Sequence, residues 1–145
     1  MERKYRKLHM VLFCLYSAFM LYLLFNRPGG IEGMDYWTQI QANLNLEPFH
    51  TIRLFLNVLN KQAYCTAALI NLGGNVIMFI PLGFFLPRVY PKLQKFWHTT
   101  LATVLIITAV ELTQLFTLLG SCDIDDLILN VIGAAIGYGI FKLAK

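Results

Sequence analysis

The chain has 145 residues, of which 57% are hydrophobic and only 14% charged, and its formal net charge is +4. Soluble domains carry about 25% charged residues and disordered chains are poor in apolar residues, so the composition excludes both classes. The basic residues lie between apolar blocks and form no basic-aromatic array, which argues against nucleic acid as a partner.

Four apolar segments predict an all-α integral membrane protein, a bundle of about four transmembrane helices in one domain of residues 1–145. The predicted spans cover residues 8–25, 66–86, 96–119 and 124–143. The first follows a short basic head, and its length and the absence of small residues at its end favour an uncleaved anchor over a secretory signal. Pro81 is expected to kink the second span or loosen its last turn.

A long outer loop, residues 26–65, separates the first two spans. Residues 27–30, Arg-Pro-Gly-Gly, interrupt the helix. In residues 51–60, apolar side chains such as Ile52 and Phe55 recur at helical spacing. This pattern predicts a short amphipathic helix that lies on the membrane surface or against the bundle.

The distribution of Lys and Arg predicts the orientation of the spans. Nine of the twelve fall on the side of both termini and of the segment 88–95, and three fall on the side of the long loop. Because short cytoplasmic segments carry an excess of basic residues, we expect both termini in the cytoplasm and the long loop outside.

No metal or cofactor is predicted. The three cysteines lack the spacing of a structural zinc site. A disulfide between Cys65 and Cys122 is an alternative that the sequence does not decide. The acids of residues 123–126 match no calcium-loop pattern. A nucleophilic arrangement of Ser121 and His50 with an aspartate is possible, but nothing in the spacing selects it.

Polar side chains inside membrane helices need a partner or a function. Here they form groups that each share one helix face. The groups are Asn71 and Asn75 in the second span, Glu111 and Gln114 in the third, and Asp125, Asp126 and Asn130 in the fourth. Counted from the outer end of each span, the amides and Glu111 lie roughly 8 to 14 Å deep. We predict one polar pocket in the outer half of the bundle, with Glu111 as its deepest ionisable group.

Simpler interpretations exist for several of these residues. Asparagines can hold membrane helices together, and Asp123 and Asp126 can be an N-cap and its third-position partner. Glu111 is harder to explain by packing, since the second to fourth spans hold no Lys or Arg before their ends. Gly133 and Gly137 lie on the face of Asn130 at a spacing that allows close helix approach, so the polar faces are expected to point inward.

Four segments of the chain resemble, in the same order, the motifs of the VanZ-like family. They are N-L-E-P-F-H-T-I at 45–52, N-L-G-G-N-V-I-M-F-I-P-L-G at 71–83, E-L-T-Q at 111–114 and D-I-D-D-L-I-L-N-V-I-G at 123–133. The resemblance implies a small bacterial cell-membrane protein, and the namesake of the family is associated with low-level resistance to teicoplanin, a lipid-bearing glycopeptide. One departure is that residues 118–122 lack the Arg that many members carry shortly before D-I-D-D.

Three functions follow as alternatives. The first is a non-catalytic envelope protein that binds a lipid-linked precursor or a lipoglycopeptide near the outer leaflet, in a site formed by the seven polar residues grouped above. The second is a membrane enzyme acting on an envelope lipid with Glu111 or Asp126 as acid/base. The third is a structural subunit of a membrane complex. The sequence does not predict an oligomeric state.

Overall fold

The computed structural model of the chain describes residues 3–26, 29–58 and 62–145. They form six α-helices: α1 Arg3–Phe25, α2 Tyr36–Ala42, α3 His50–Val58, α4 Gln62–Val89, α5 Phe96–Phe116 and α6 Ile124–Leu143. Two short strands, β1 Leu44–Asn45 and β2 Cys122–Asp123, pair in parallel. Helices α1, α4, α5 and α6 are long and apolar enough to cross a membrane, which confirms the predicted all-α membrane fold.

The two ends of the bundle differ in chemistry. The end that carries residues 29–58 and 117–123 is called the loop end here, and the end that carries residues 90–95 and the tip of α6 is called the basic end. At the basic end, the Arg88 guanidinium donates to the backbone oxygen of Ala144 over 3.1 Å and lies 3.3 Å from Nε2 of His9. Arg88 therefore joins the ends of α1, α4 and α6.

Helix α5 ends at Phe116, three residues before position 119, where the third span was predicted to end. The helix is terminated by a residue with left-handed backbone conformation. Leu118 has a φ of 57°, and the next residue, Leu119, donates its N–H to the oxygen of Gln114. This is the hydrogen-bond pattern of a Schellman C-cap. A left-handed leucine costs about 1–2 kcal/mol relative to its usual backbone conformation.

Helices α4 and α6 pack backbone against backbone. A Cβ atom added at Gly133 would lie 2.1 Å from the oxygen of Val76, and one at Gly137 would lie 1.9 Å from the oxygen of Ile80. Gly83 makes the reciprocal close approach from α4 to the backbone of α6. The glycine spacing that the sequence shows in α6 therefore sets the distance between these two helices.

Helix α1 lies at the edge of the bundle and packs mainly on α4. Only 6% of the residues in its most apolar segment are buried within the protein. The hydroxyl of Tyr16 donates to the backbone oxygen of Met78 over 2.8 Å, and Met20 enters the main apolar core beside Phe79 and Leu82. The outer surface of α1 is thus left to the surrounding membrane.

The α4–α6 contact predicts opposite effects for two neighbouring glycines. Gly137→Ala should destabilise the protein by about 1–3 kcal/mol, because the added methyl group collides with the backbone of α4. Gly139→Ala is the matched control, since nothing lies within 4 Å of its added Cβ, and alanine should stabilise this helix by about 0.5–1 kcal/mol. Thermal unfolding of both variants in detergent measures the difference, and equal melting temperatures would contradict the close contact.

Candidate ligand-binding site at the loop end

Three carboxyl groups are buried together at the loop end. Glu111 is 7% exposed, Asp123 is 8% exposed and Asp125 is fully buried. Glu111 comes from the last third of α5, Asp123 precedes α6, and Asp125 lies in the first turn of α6. Carboxyl groups in such surroundings are stable only when hydrogen bonds compensate their loss of water.

Asp123 caps α6 and also binds the long loop. Its Oδ1 accepts the N–H of Asp125 over 2.8 Å, which confirms its predicted role as the N-cap. Its Oδ2 accepts from the hydroxyl of Thr51 over 2.5 Å and from the side-chain amide of Asn45 over 3.2 Å. The pairing of β1 with β2 places Asn45 directly beside Asp123.

Asp125 binds two backbone N–H groups of the same loop. Its Oδ1 accepts from Phe49 over 2.5 Å and its Oδ2 accepts from Ile52 over 3.0 Å. The N–H of Ile52 belongs to the first turn of α3, where no intrahelical acceptor exists. Phe49 has a φ of 64°, so the loop holds a left-handed residue at the point where it meets Asp125.

Glu111 and Asp126 connect the start of α6 to the two other helices. Oε2 of Glu111 accepts the N–H of Asp123 over 2.9 Å, a position that a capping box would give to Asp126. Asp126 instead accepts from the side-chain amide of Asn75 on α4 over 2.5 Å. Glu111 thus accepts, from another helix, the N–H that a capping box assigns to the third residue of α6.

The predicted pocket residues separate into three sets. Glu111, Asp125, Asp126 and Asn75 belong to the connected group at the start of α6. The side-chain oxygens of Asn71 and Asn130 are buried, and neither accepts a hydrogen bond from the described residues. Gln114 points to α1 instead, where its Nε2 donates to the oxygen of Leu24 over 2.8 Å.

The group is rich in acceptors and poor in positive charge. The described partners of Glu111, Asp123 and Asp125 are all neutral: backbone N–H groups, one hydroxyl and one amide. Such a concentration of carboxyl oxygens attracts hydrogen-bond donors and cations. A cavity of about 420 Å³ opens at the same end, between α2 and residues 118–121.

The same surroundings make Cys122 a poor nucleophile. Its burial raises the pKa of the Cys122 thiol, and the nearby charges of Glu111 and Asp123 raise it further. Reactive cysteines have lowered pKa values. Cys122 is a free thiol, and the side chain of Cys65 lies outside the described part of the chain. Among the described residues, no cluster of three His, Cys, Asp or Glu side chains could hold a metal ion.

Sequence reasoning from the spans missed the loop partners. Asn45, Thr51 and the N–H groups of Phe49 and Ile52 supply most of the donors to Asp123 and Asp125. Helical periodicity carries no sign of them, because Asn45 lies in β1 and Phe49 lies in a turn, and because Phe49 and Ile52 donate backbone N–H groups. The resemblance of residues 45–52 to a family motif was the only signal that could have found them.

Comparison with known proteins identifies the family. The family model described as VanZ/LLP1 matches residues 13–145, nearly the whole chain. Neither the curated proteins nor the solved structures contain a match.

The double hydrogen bond of Asp125 predicts how the loop is held. In Asp125→Asn an amide NH₂ replaces one acceptor oxygen and leaves a loop N–H unbonded, at a cost of about 1–3 kcal/mol. Hydrogen exchange at Phe49 and Ile52 should then accelerate roughly 5- to 150-fold.

Asp35→Asn is the matched control for that experiment. Asp35 is exposed and caps α2 in the same loop, where it accepts from Trp37 and Thr38, so its replacement should leave exchange at residues 49–52 unchanged. Unchanged exchange in Asp125→Asn, measured by mass spectrometry of the same peptides, would contradict the attachment.

Proposed function

Because this chain belongs to the VanZ/LLP1 family, we propose that its membrane bundle is a non-catalytic envelope protein that binds a lipid-linked or lipophilic ligand at the loop end. The ligand would carry hydrogen-bond donors and a hydrocarbon portion. Teicoplanin, a glycopeptide with a lipid chain, is one molecule of this class, and a contribution to resistance against it is part of the proposal.

One observation carries this proposal: buried acceptor oxygens from α4, α5 and α6 concentrate at one end of a membrane bundle. The oxygens of Asn71 and Asn130 have no donor among the described residues, and an unbonded buried acceptor costs about 1–3 kcal/mol. A ligand that supplies N–H or O–H groups would remove this cost. Membrane helices rarely keep such groups without a functional reason.

The hydrogen bonds of Asp123 and Asp125 suit these two carboxyl groups to binding rather than to catalysis. Both oxygens of Asp123 and both oxygens of Asp125 hold backbone or side-chain donors of the protein. A general acid or base must reach the proton that it transfers, and these four oxygens are already engaged. They are suited to building a fixed site.

Glu111→Gln and Asp126→Asn test the proposed site. Each variant replaces a carboxyl oxygen of the proposed site by an amide NH₂, so teicoplanin should bind roughly 10- to 100-fold more weakly. Growth inhibition of a bacterial host that expresses each variant should shift in the same direction. The control is Glu47→Gln, which changes an exposed loop carboxyl. If both site variants bind and protect like the unchanged protein, the proposal fails.

The proposed orientation in the bacterial cell membrane places both termini in the cytoplasm. Gln41 in α2 and Lys92 at the basic end are both exposed and lie at opposite ends of the bundle. In a chain freed of Cys14, Cys65 and Cys122 by alanine substitution, a membrane-impermeant maleimide should label Gln41→Cys in intact cells. It should label Lys92→Cys only after the cells are opened. The reverse pattern would overturn the orientation.

A further inference from the structure

An apolar cleft of about 230 Å³ lies between α1 and α5, with α4 as its floor. Its lining includes Met20 and Leu24 from α1, Ile106 and Val110 from α5, and Phe79 and Leu82 from α4. It is distinct from the polar group of Glu111 and from the cavity between α2 and residues 118–121.

The hydroxyl of Tyr16 in the lining of the cleft needs no polar occupant. It already donates to the backbone oxygen of Met78 over 2.8 Å. Apolar cavities of about 150 Å³ stay dry and bind small apolar molecules. A larger cleft of the same chemistry, between helices that can cross a membrane, is therefore filled from the hydrocarbon around it.

The position of the cleft selects an occupant from the membrane. Leu21 and Ile106 in its lining are exposed, so the cleft opens to the hydrocarbon that surrounds the bundle. A hydrocarbon chain matches this lining, because it carries no group that needs a hydrogen bond.

The cleft adjoins the polar site along α5. Val110 on its wall directly precedes Glu111, and Leu24, whose backbone oxygen accepts from Gln114, lines it on the side of the loop. A chain lying in the cleft would thus extend from the middle of the bundle towards the loop end.

From this geometry we infer that the cleft binds one acyl chain of a bilayer lipid whose headgroup lies at the loop end. The chain part of this inference rests on the cleft alone, and the headgroup part rests on the proposed function. The acyl chain would give a lipid-linked ligand a second point of attachment beside the acceptor oxygens.

Photolabelling tests the acyl-chain site. The full chain is reconstituted in phosphatidylglycerol nanodiscs that contain a phosphatidylglycerol with a diazirine in its acyl chain. After irradiation, mass spectrometry should locate the label in residues 16–24 and 106–110 in excess over other lipid-facing segments. Val110→Trp fills the cleft and should lower this labelling about tenfold, the effect of excluding two methylene groups.

Two further variants keep the test decisive. Ser17→Phe fills the cleft from α1 and should act like Val110→Trp if that variant folds poorly. Ile132→Trp adds the same bulk at an exposed position of α6 and should leave the labelling unchanged. Uniform labelling of all lipid-facing segments, or photocrosslinks between two copies of the chain at residues 16–24, would overturn the inference.

Glu111→Gln separates the two proposals. If the acyl-chain label stays in the cleft while teicoplanin binding is insensitive to Glu111, the acyl-chain site is supported and the polar binding site is contradicted. If teicoplanin binding depends on Glu111 and the label is uniform, the polar binding site is supported and the acyl-chain site is contradicted.

Discussion

The long loop is fastened to the membrane bundle by two neighbouring carboxylates. Asp123 and Asp125 sit at the first turn of α6 and accept hydrogen bonds from Asn45, Phe49, Thr51 and Ile52. Carboxylates buried among apolar helices are stable only with such donors. The dependence is mutual, because the N–H of Ile52 in the first turn of α3 has no intrahelical acceptor. Burial of these acids and the conformation of the loop therefore stabilise each other.

Glu111 extends the same constraint to a third helix. By accepting the N–H of Asp123, it ties α5 to the beginning of α6, while Asp126 ties α4 through Asn75. The close backbone contact of α4 and α6 lower in the bundle fixes the distance across which these bonds form. Packing by glycine and bonding by carboxyl groups thus act on the same pair of helices at different depths.

The parts of this arrangement that depend on local pattern were predictable. Apolar length predicted the four spans, the Asp at the start of α6 predicted its N-cap, and the spacing of Gly133 and Gly137 predicted a close helix contact. Helix rise and the alternating direction of the spans predicted similar depths for Glu111 and Asn75 in the outer half of the bundle. Each of these inferences uses a periodicity or a cap that a short stretch of sequence carries.

The remaining parts depend on backbone groups, which have no signature in sequence. Asp125 binds N–H groups more than seventy residues away, and any residue except proline could supply them. Gln114 shares a helix face with Glu111, yet it donates to the oxygen of Leu24, because α1 offers an open carbonyl at its end. The end of α5 before position 119 could not be predicted either, because Leu118 adopts a backbone conformation that is typical of glycine.

The peripheral attachment of α1 couples the protein to the thickness of its membrane. This helix is held by packing on α4 and by the bonds at Tyr16 and Leu24, while its outer surface contacts lipid. A span fastened on one side adjusts to hydrophobic mismatch by tilting. Because α1 forms one wall of the cleft, the tilt that a thinner or thicker bilayer imposes changes the width of the cleft.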